Sequence, residues 1–203
     1  TTPPASYEID VLARHLSALC AELGDGSCHV VGHDWGGIIG AAAASLHPQA
    51  LRSITLVCCA HPAAFSSGLR KPAQVMRSWY VGMFQIPGLE HVLGHRAFVE
   101  RVAGDADIHD AEGMRRALAY YRTNLRPWRL ARSAAGRIAQ PGLVIHAERD
   151  LAITEQLMRA SASFLDDLRG FEIIDSGHFI HREKPTALLE ILLPFLRDNS
   201  PSG

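Results

Sequence analysis

Two uninterrupted apolar runs, "CHVV" at 28–31 and "ITLVCCA" at 54–60, flank a stretch of very small residues, "GGIIGAAAAS" at 36–45. That arrangement constrains the fold more than any other feature of the chain. Strands without polar alternation are buried on both faces, as in a parallel sheet covered by helices. A helix built from Gly and Ala can lie close on such a sheet. The run therefore predicts a βαβ unit, with strands over 27–34 and 51–60 and a helix over 35–47 stopped by Pro48.

Ahead of it, "IDVLARHLSALCAEL" places Ile9, Leu12, Leu16, Leu19 and Leu23 at three- and four-residue steps. This predicts an amphipathic helix ended by Gly24 and Gly26. From residue 61 to 137 no convincing strand is visible, and helical stretches are broken by Pro and Gly. Alternation returns with strands over 141–150 and 171–175 and helices over 153–165 and 185–196. The organisation expected is an α/β core in two parts, residues 1–60 and 138–203, separated by a helical insertion at 61–137 of small-domain size.

Composition adds exclusions. The 203 residues are 47% hydrophobic and 20% charged, with a formal net charge of -1. No basic run suggests nucleic acid, and no apolar stretch is long enough to span a bilayer. The four cysteines lack metal-ligand spacing, and Cys58 and Cys59 stand together in an apolar strand. They fit a reducing, cytoplasmic compartment.

The chemistry concentrates at Gly32-His33-Asp34-Trp35-Gly36. A G-x-nucleophile-x-G pattern between a strand and a helix marks a sharp turn that lifts its central side chain above the carboxyl edge of the sheet. The flanking glycines make room for the neighbouring strand and helix. Asp34 either caps the helix, a favoured role for Asp, or is exposed there to react. Asp150 ends the strand "LVIHAERD", and His178 follows "FEIID". All three thus fall at carboxyl ends of strands, in the chain order nucleophile, acid, His. Alone, Asp150 could start a turn and His178 could be one of eleven scattered histidines. Together they read as a triad.

At this point the chain resembles the α/β-hydrolase fold, and within it the epoxide hydrolase and haloalkane dehalogenase branch, whose nucleophile is Asp. "VVGHDWGG", "ERD" before the His, and "REKPTALLEILLPFL" carry the likeness along essentially all 203 residues. The resemblance implies that residues 61–137 form a cap. It also implies that Tyr80 in "SWYVGMFQIPG" and Tyr121 in "ALAYYRTNLRPW" hydrogen-bond an epoxide oxygen, Tyr120 facing away. A dehalogenase would instead need halide donors, for which Trp35 with Trp79 or Trp128 are the candidates. Epoxide hydrolysis is the leading expectation, with dehalogenation and a catalytically impaired fragment as alternatives. The partners implied are a small apolar epoxide and water; no cofactor, metal, nucleic acid or membrane is implied, and a homo-oligomer remains open.

The implied mechanism has the Asp34 carboxylate open the epoxide to a covalent ester, with the tyrosines steadying the alkoxide. His178, held by Asp150, then directs water at that ester. One oxyanion donor is expected from the backbone N–H of Trp35. The family's second donor comes from an H-G-x-P motif, which the 203 residues do not contain. The resemblance implies about four strands and one helix ahead of Thr1, and an open edge on the strand of Cys28 without them.

Overall fold

The computed structural model describes residues 6–23, 26–68, 70–94, 111–125, 133 and 135–200. Gly24 and Trp128 lie outside this set. Four strands, β1 (Cys28–His33), β2 (Leu51–Val57), β3 (Ile138–Ala147) and β4 (Leu165–Ile174), form one sheet in the order β1-β2-β3-β4, all parallel. Helices α1 (Ile9–Glu22) and α2 (Trp35–Leu46) precede and follow β1 in the chain, and α8 (Glu155–Ala162) joins β3 to β4. α9 (Ile180–Glu183) and α10 (Pro185–Asp198) close the described chain. Between β2 and β3 the described elements are all helical: α3 (Pro62–Gly68), α4 (Pro72–Arg77), α5 (Trp79–Met83), α6 (Leu89–Leu93) and α7 (Ala111–Asn124).

The central strands are buried on both faces. Ile54, Leu56 and Val144 pack with α1, α2 and α8, while Val57, Leu143 and Ile145 pack with α10. That two-residue alternation is why β2 and β3 read as continuous apolar runs. α2 lies as close as its composition suggests: a Cβ on Gly40 would stand 3.0 Å from Ile54 Cδ1 and 3.2 Å from Val30 Cγ1.

α1 departs from expectation. Its leucine stripe is not its buried face; Leu19 and Leu23 are 53% and 51% exposed, and the residues buried are Ile9, Ala13, Ser17 and Cys20. The helix packs on the alanine face of α2, and two helices approach closely only through small side chains. Ser17 tolerates burial because its hydroxyl donates to the Ala13 carbonyl at 2.8 Å.

β4 begins six residues before the expected Phe171, at Leu165. Its first half, "LDDLR", is polar because this strand faces solvent in part, and pairing with β3 makes it a strand despite the composition. Its charges are matched in ion pairs, Arg137 with Asp166 and Arg169 with Asp167. β3 likewise starts ahead of Pro141, and its register with β4 shifts between Ile138 and Pro141, an irregularity of the kind that accommodates proline within a sheet.

Arg122 on α7 ties the inserted helices together, donating to the carbonyls of Phe84 (2.9 Å) and Ile86 (2.8 Å) and pairing with Glu90 at 2.8 Å. Asn124 anchors the same helix to the start of α1, donating to the Tyr7 carbonyl at 2.7 Å and accepting from the Ile9 amide at 3.1 Å. Among the described residues no helix is long and apolar enough to cross a membrane.

Candidate active site

The β1–α2 junction is strained. Asp34 has φ 49° and ψ −124°, a conformation that side-chain-bearing residues rarely adopt. The strain is held from two sides. The Asp34 amide donates to the Val57 carbonyl at 3.3 Å, and its own carbonyl accepts from the amides of Gly37 (3.0 Å) and Ile38 (3.1 Å). The carboxylate makes no capping hydrogen bond. Of the two roles open to this aspartate, capping is not what its side chain performs.

The glycines divide differently from expectation. A Cβ on Gly32 would fall 2.4 Å from Gly37 Cα, and one on Gly37 would fall 2.1 Å from Cys59 Sγ. A Cβ on Gly36 would meet nothing within 4 Å. The close approach of strand to helix therefore depends on Gly32 and Gly37, not on Gly36.

Asp150 follows the end of β3, its side chain fully buried. One carboxylate oxygen accepts the amides of Ala152 (2.7 Å) and Ile153 (3.0 Å), and the other meets His178 Nδ1 at 2.9 Å. Burial pushes this carboxyl upward, but the hydrogen bond and charge of His178 and the two amides outweigh it, leaving its pKa below the ordinary value. The opposite ring nitrogen of His178, Nε2, stands 3.7 Å from the Asp34 carboxylate. Burial would depress the imidazole. Hydrogen bonding to Asp150 and the pull of both carboxylates overcome that and lift its pKa to about 10.

The loop carrying His178 is pinned by residues that sequence reasoning did not single out. His33, beside Asp34 in sequence, has its Nε2 2.9 Å from the His178 carbonyl, and the two rings lie 4.7 Å apart. Glu183 accepts the Gly177 amide at 2.7 Å and the Ser176 hydroxyl at 3.3 Å. His33 was visible as part of the motif, whereas nothing local marks Glu183. Cys58, also at positive φ (46°), stands behind the pair: its Sγ, an Asp150 oxygen and a His178 nitrogen lie within 4.8 Å of one another. All four cysteines are free.

Tyr80 from α5 and Tyr121 from α7 face Asp34 across an apolar cleft whose wall includes Trp35, Ile38, Phe65 and Leu125. Their rings are 6.3 Å apart, and Tyr121 meets the Trp35 indole edge-on at 5.2 Å. Burial first, and the Asp34 charge second, push both phenols above their ordinary pKa, so both keep the protons they could donate. Tyr120 is outside that wall and packs on Tyr7 and Trp35. Trp79 is 68% exposed and does not line the cleft. Trp35 opens α2, where the first amides have no carbonyl partner within the helix.

A family model described as alpha/beta hydrolase fold matches residues 1–91. Epoxide hydrolase 4 of Mus musculus is 36% identical over 83 residues, covering 40% of this chain and 23% of that protein. Epoxide hydrolase 3 of Xenopus tropicalis is 25% identical over 217 residues, covering 95% of this chain. The chain spans 59% of that relative's length. Among solved structures, a Bacillus megaterium epoxide hydrolase in complex with an inhibitor superposes with a TM-score of 0.81 at 21% identity, covering 97% of this chain and 78% of that one.

Proposed function

We propose that this chain, which has the α/β-hydrolase fold and is a homologue of epoxide hydrolases, opens epoxides to vicinal diols through an ester on Asp34. One observation carries the reading. His178 sits between a buried carboxylate at 2.9 Å and the strained Asp34 carboxylate at 3.7 Å, and two protonated tyrosines face that same Asp34.

The Asp34 carboxylate attacks an epoxide carbon as the C–O bond breaks, forming a hydroxyalkyl ester. Tyr80 and Tyr121 donate hydrogen bonds to the developing alkoxide, and one of them gives up its proton. The imidazole is protonated while Asp34 is anionic. Esterification removes that charge, leaving His178 with one carboxylate partner instead of two. Its pKa falls, its Nε2 proton passes by way of solvent to the tyrosinate, and the neutral imidazole is then a base able to take a proton from water attacking the ester carbonyl. The amide of Trp35, at the start of α2, then stabilises the resulting oxyanion. Collapse of this intermediate breaks the ester C–O bond. One water proton leaves on the diol and the other returns to Nε2 as the Asp34 carboxylate is restored, while Asp150 holds Nδ1 protonated throughout.

The helices α3 to α7 serve in this reading as part of a cap that brings both tyrosines over the sheet edge. The substrate is a small apolar epoxide, and the free cysteines fit a reducing compartment. The test is His178→Gln. With styrene oxide it should accumulate a covalent adduct, seen by intact-mass spectrometry, and release no diol. Turnover at the parent rate would remove His178 from the reaction. Consumption of a bromoalkane in preference to the epoxide would reassign the chemistry to dehalogenation.

A further inference from the structure

The loop that bears Asp150 is tied to the end of β4 by the Glu148 and Arg149 amides, which donate to the Ile174 and Ser176 carbonyls at 2.9 and 3.0 Å. Leu151 at its apex is 83% exposed, and the Asp150 carboxylate spends one oxygen on the loop's inner amides. The outward-facing carbonyls and the Thr154 amide are bonded instead by two side chains of α4. Gln74, 2% exposed, donates from Nε2 to the Ala152 carbonyl at 2.9 Å and to the Ser78 hydroxyl at 3.0 Å. Its Oε1 accepts the Thr154 amide at 3.2 Å and the Thr154 hydroxyl at 3.1 Å. A primary amide has two donor hydrogens and two acceptor lone pairs, and all four are used. Arg77, one turn on, donates from Nη1 to the carbonyls of Asp150 and Ile153.

From this geometry we infer that Gln74 is a positioning residue, a joint that fastens the acid loop to the inserted helices and thereby aims Asp150 at His178. The inference rests on the reading of Asp150 as the partner that orients His178. Ser78, the fourth partner of the Gln74 amide, immediately precedes α5, two positions before Tyr80. One buried amide thus links the acid loop to the helix carrying a proposed proton donor. Its orientation is forced, since the Ala152 carbonyl only accepts and the Thr154 amide only donates. A carboxylate of the same shape would set an oxygen against the Ala152 carbonyl.

The test compares Gln74→Leu and Gln74→Glu with the parent protein in single-turnover reactions with styrene oxide, and repeats Gln74→Leu in an Asp150→Asn background. A small misaim of the acid costs on the order of tenfold or more in rate. Ester hydrolysis should fall by about that factor, with ester formation changed less than about twofold. In the Asp150→Asn background Gln74→Leu should add little, because its effect passes through Asp150. The low-field proton resonance of His178 Nδ1 should shift in Gln74→Glu, which a purely structural role would leave in place. Equal losses in both backgrounds, or an equal loss of ester formation, would overturn the proposal. Unchanged ester hydrolysis in Asp150→Asn alone would instead remove the reading of the acid, and this inference with it. Should Gln74→Leu not fold, Gln74→Asn, which keeps the amide but shortens its reach, supplies the same comparison.

Discussion

His178 Nε2 lies 3.7 Å from the Asp34 carboxylate, near enough to pair charge with it and too far to hydrogen-bond. In the resting protein the imidazole, with its pKa at about 10, is therefore a cation beside the Asp34 carboxylate. Ester formation should be constant through neutral pH and decline only as pH passes about 10. Ester hydrolysis needs the neutral imidazole with Asp34 esterified, so its rate should rise with pH through a distinctly lower midpoint. Rapid-quench measurement of the two steps across pH separates them. A common midpoint would show that the Asp34 charge does not govern His178.

The same residue makes a signed contribution to stability. Its folded pKa is raised, so the contribution is complete below about 6.5, the free-chain value, and is lost as pH rises to about 10. Asp150, with its pKa lowered, contributes in the opposite direction, losing stability as pH falls through the acid range.

Tyr80 and Tyr121 face the same carboxylate from different helices. Changing either to Phe should slow ester formation on the order of ten- to a hundredfold, the typical cost of one oxyanion donor or somewhat less. Changing both should reduce the ester below detection. The indole of Trp35, 5.2 Å from Tyr121, offers a fluorescence signal for stopped-flow measurement. Unaltered ester formation in the double variant would remove the tyrosines from the chemistry.

Gly36 and Gly37 adjoin in sequence and should respond oppositely to alanine. Gly37→Ala drives a Cβ into Cys59 Sγ and should cost at least about 1–3 kcal/mol. Gly36→Ala meets no atom and gains helix propensity, so it should be neutral or stabilising by up to about 1 kcal/mol. Urea denaturation of the two variants makes the comparison.

His61 lies fully buried against Phe164, the rings stacked 4.1 Å apart at 6°. Burial lowers its pKa to about 4, so the unfolded chain takes up this proton first as pH falls. Stability should rise with pH between about 4 and 6.5, this residue supplying up to about 3 kcal/mol of that change. His61→Phe should flatten the acid limb of a melting-temperature profile relative to the parent. An identical acid limb would contradict this account.

How much of this was legible in the sequence depends on where each signal resides. The βαβ unit and the kink at Asp34 are local: apolar runs, small residues and a strand–turn–helix motif announce them within a few residues. Asp150 and His178 could be placed because strand ends collect on one edge of a parallel sheet. The buried face of α1 was not legible. Small residues win there over leucines only because the partner is the alanine face of α2. The polar first half of β4 has no strand signature apart from its pairing with β3. Gln74, Arg77 and Glu183 act through carbonyls and amides distant in sequence, and no side-chain pattern records which backbone groups a fold will leave without partners.

Among the described residues the two side-chain-bearing ones at positive φ, Asp34 and Cys58, each follow the last residue of a strand, and those last residues, His33 and Val57, are paired across the sheet. Neighbouring strands thus kink in step along one rim. A single-residue insertion or deletion within 28–34 or 51–58 would put the kinks out of phase and break the bond between the Asp34 amide and the Val57 carbonyl. Length variation over generations should accordingly be purged from these two segments, while point changes within them are admitted wherever volume is kept.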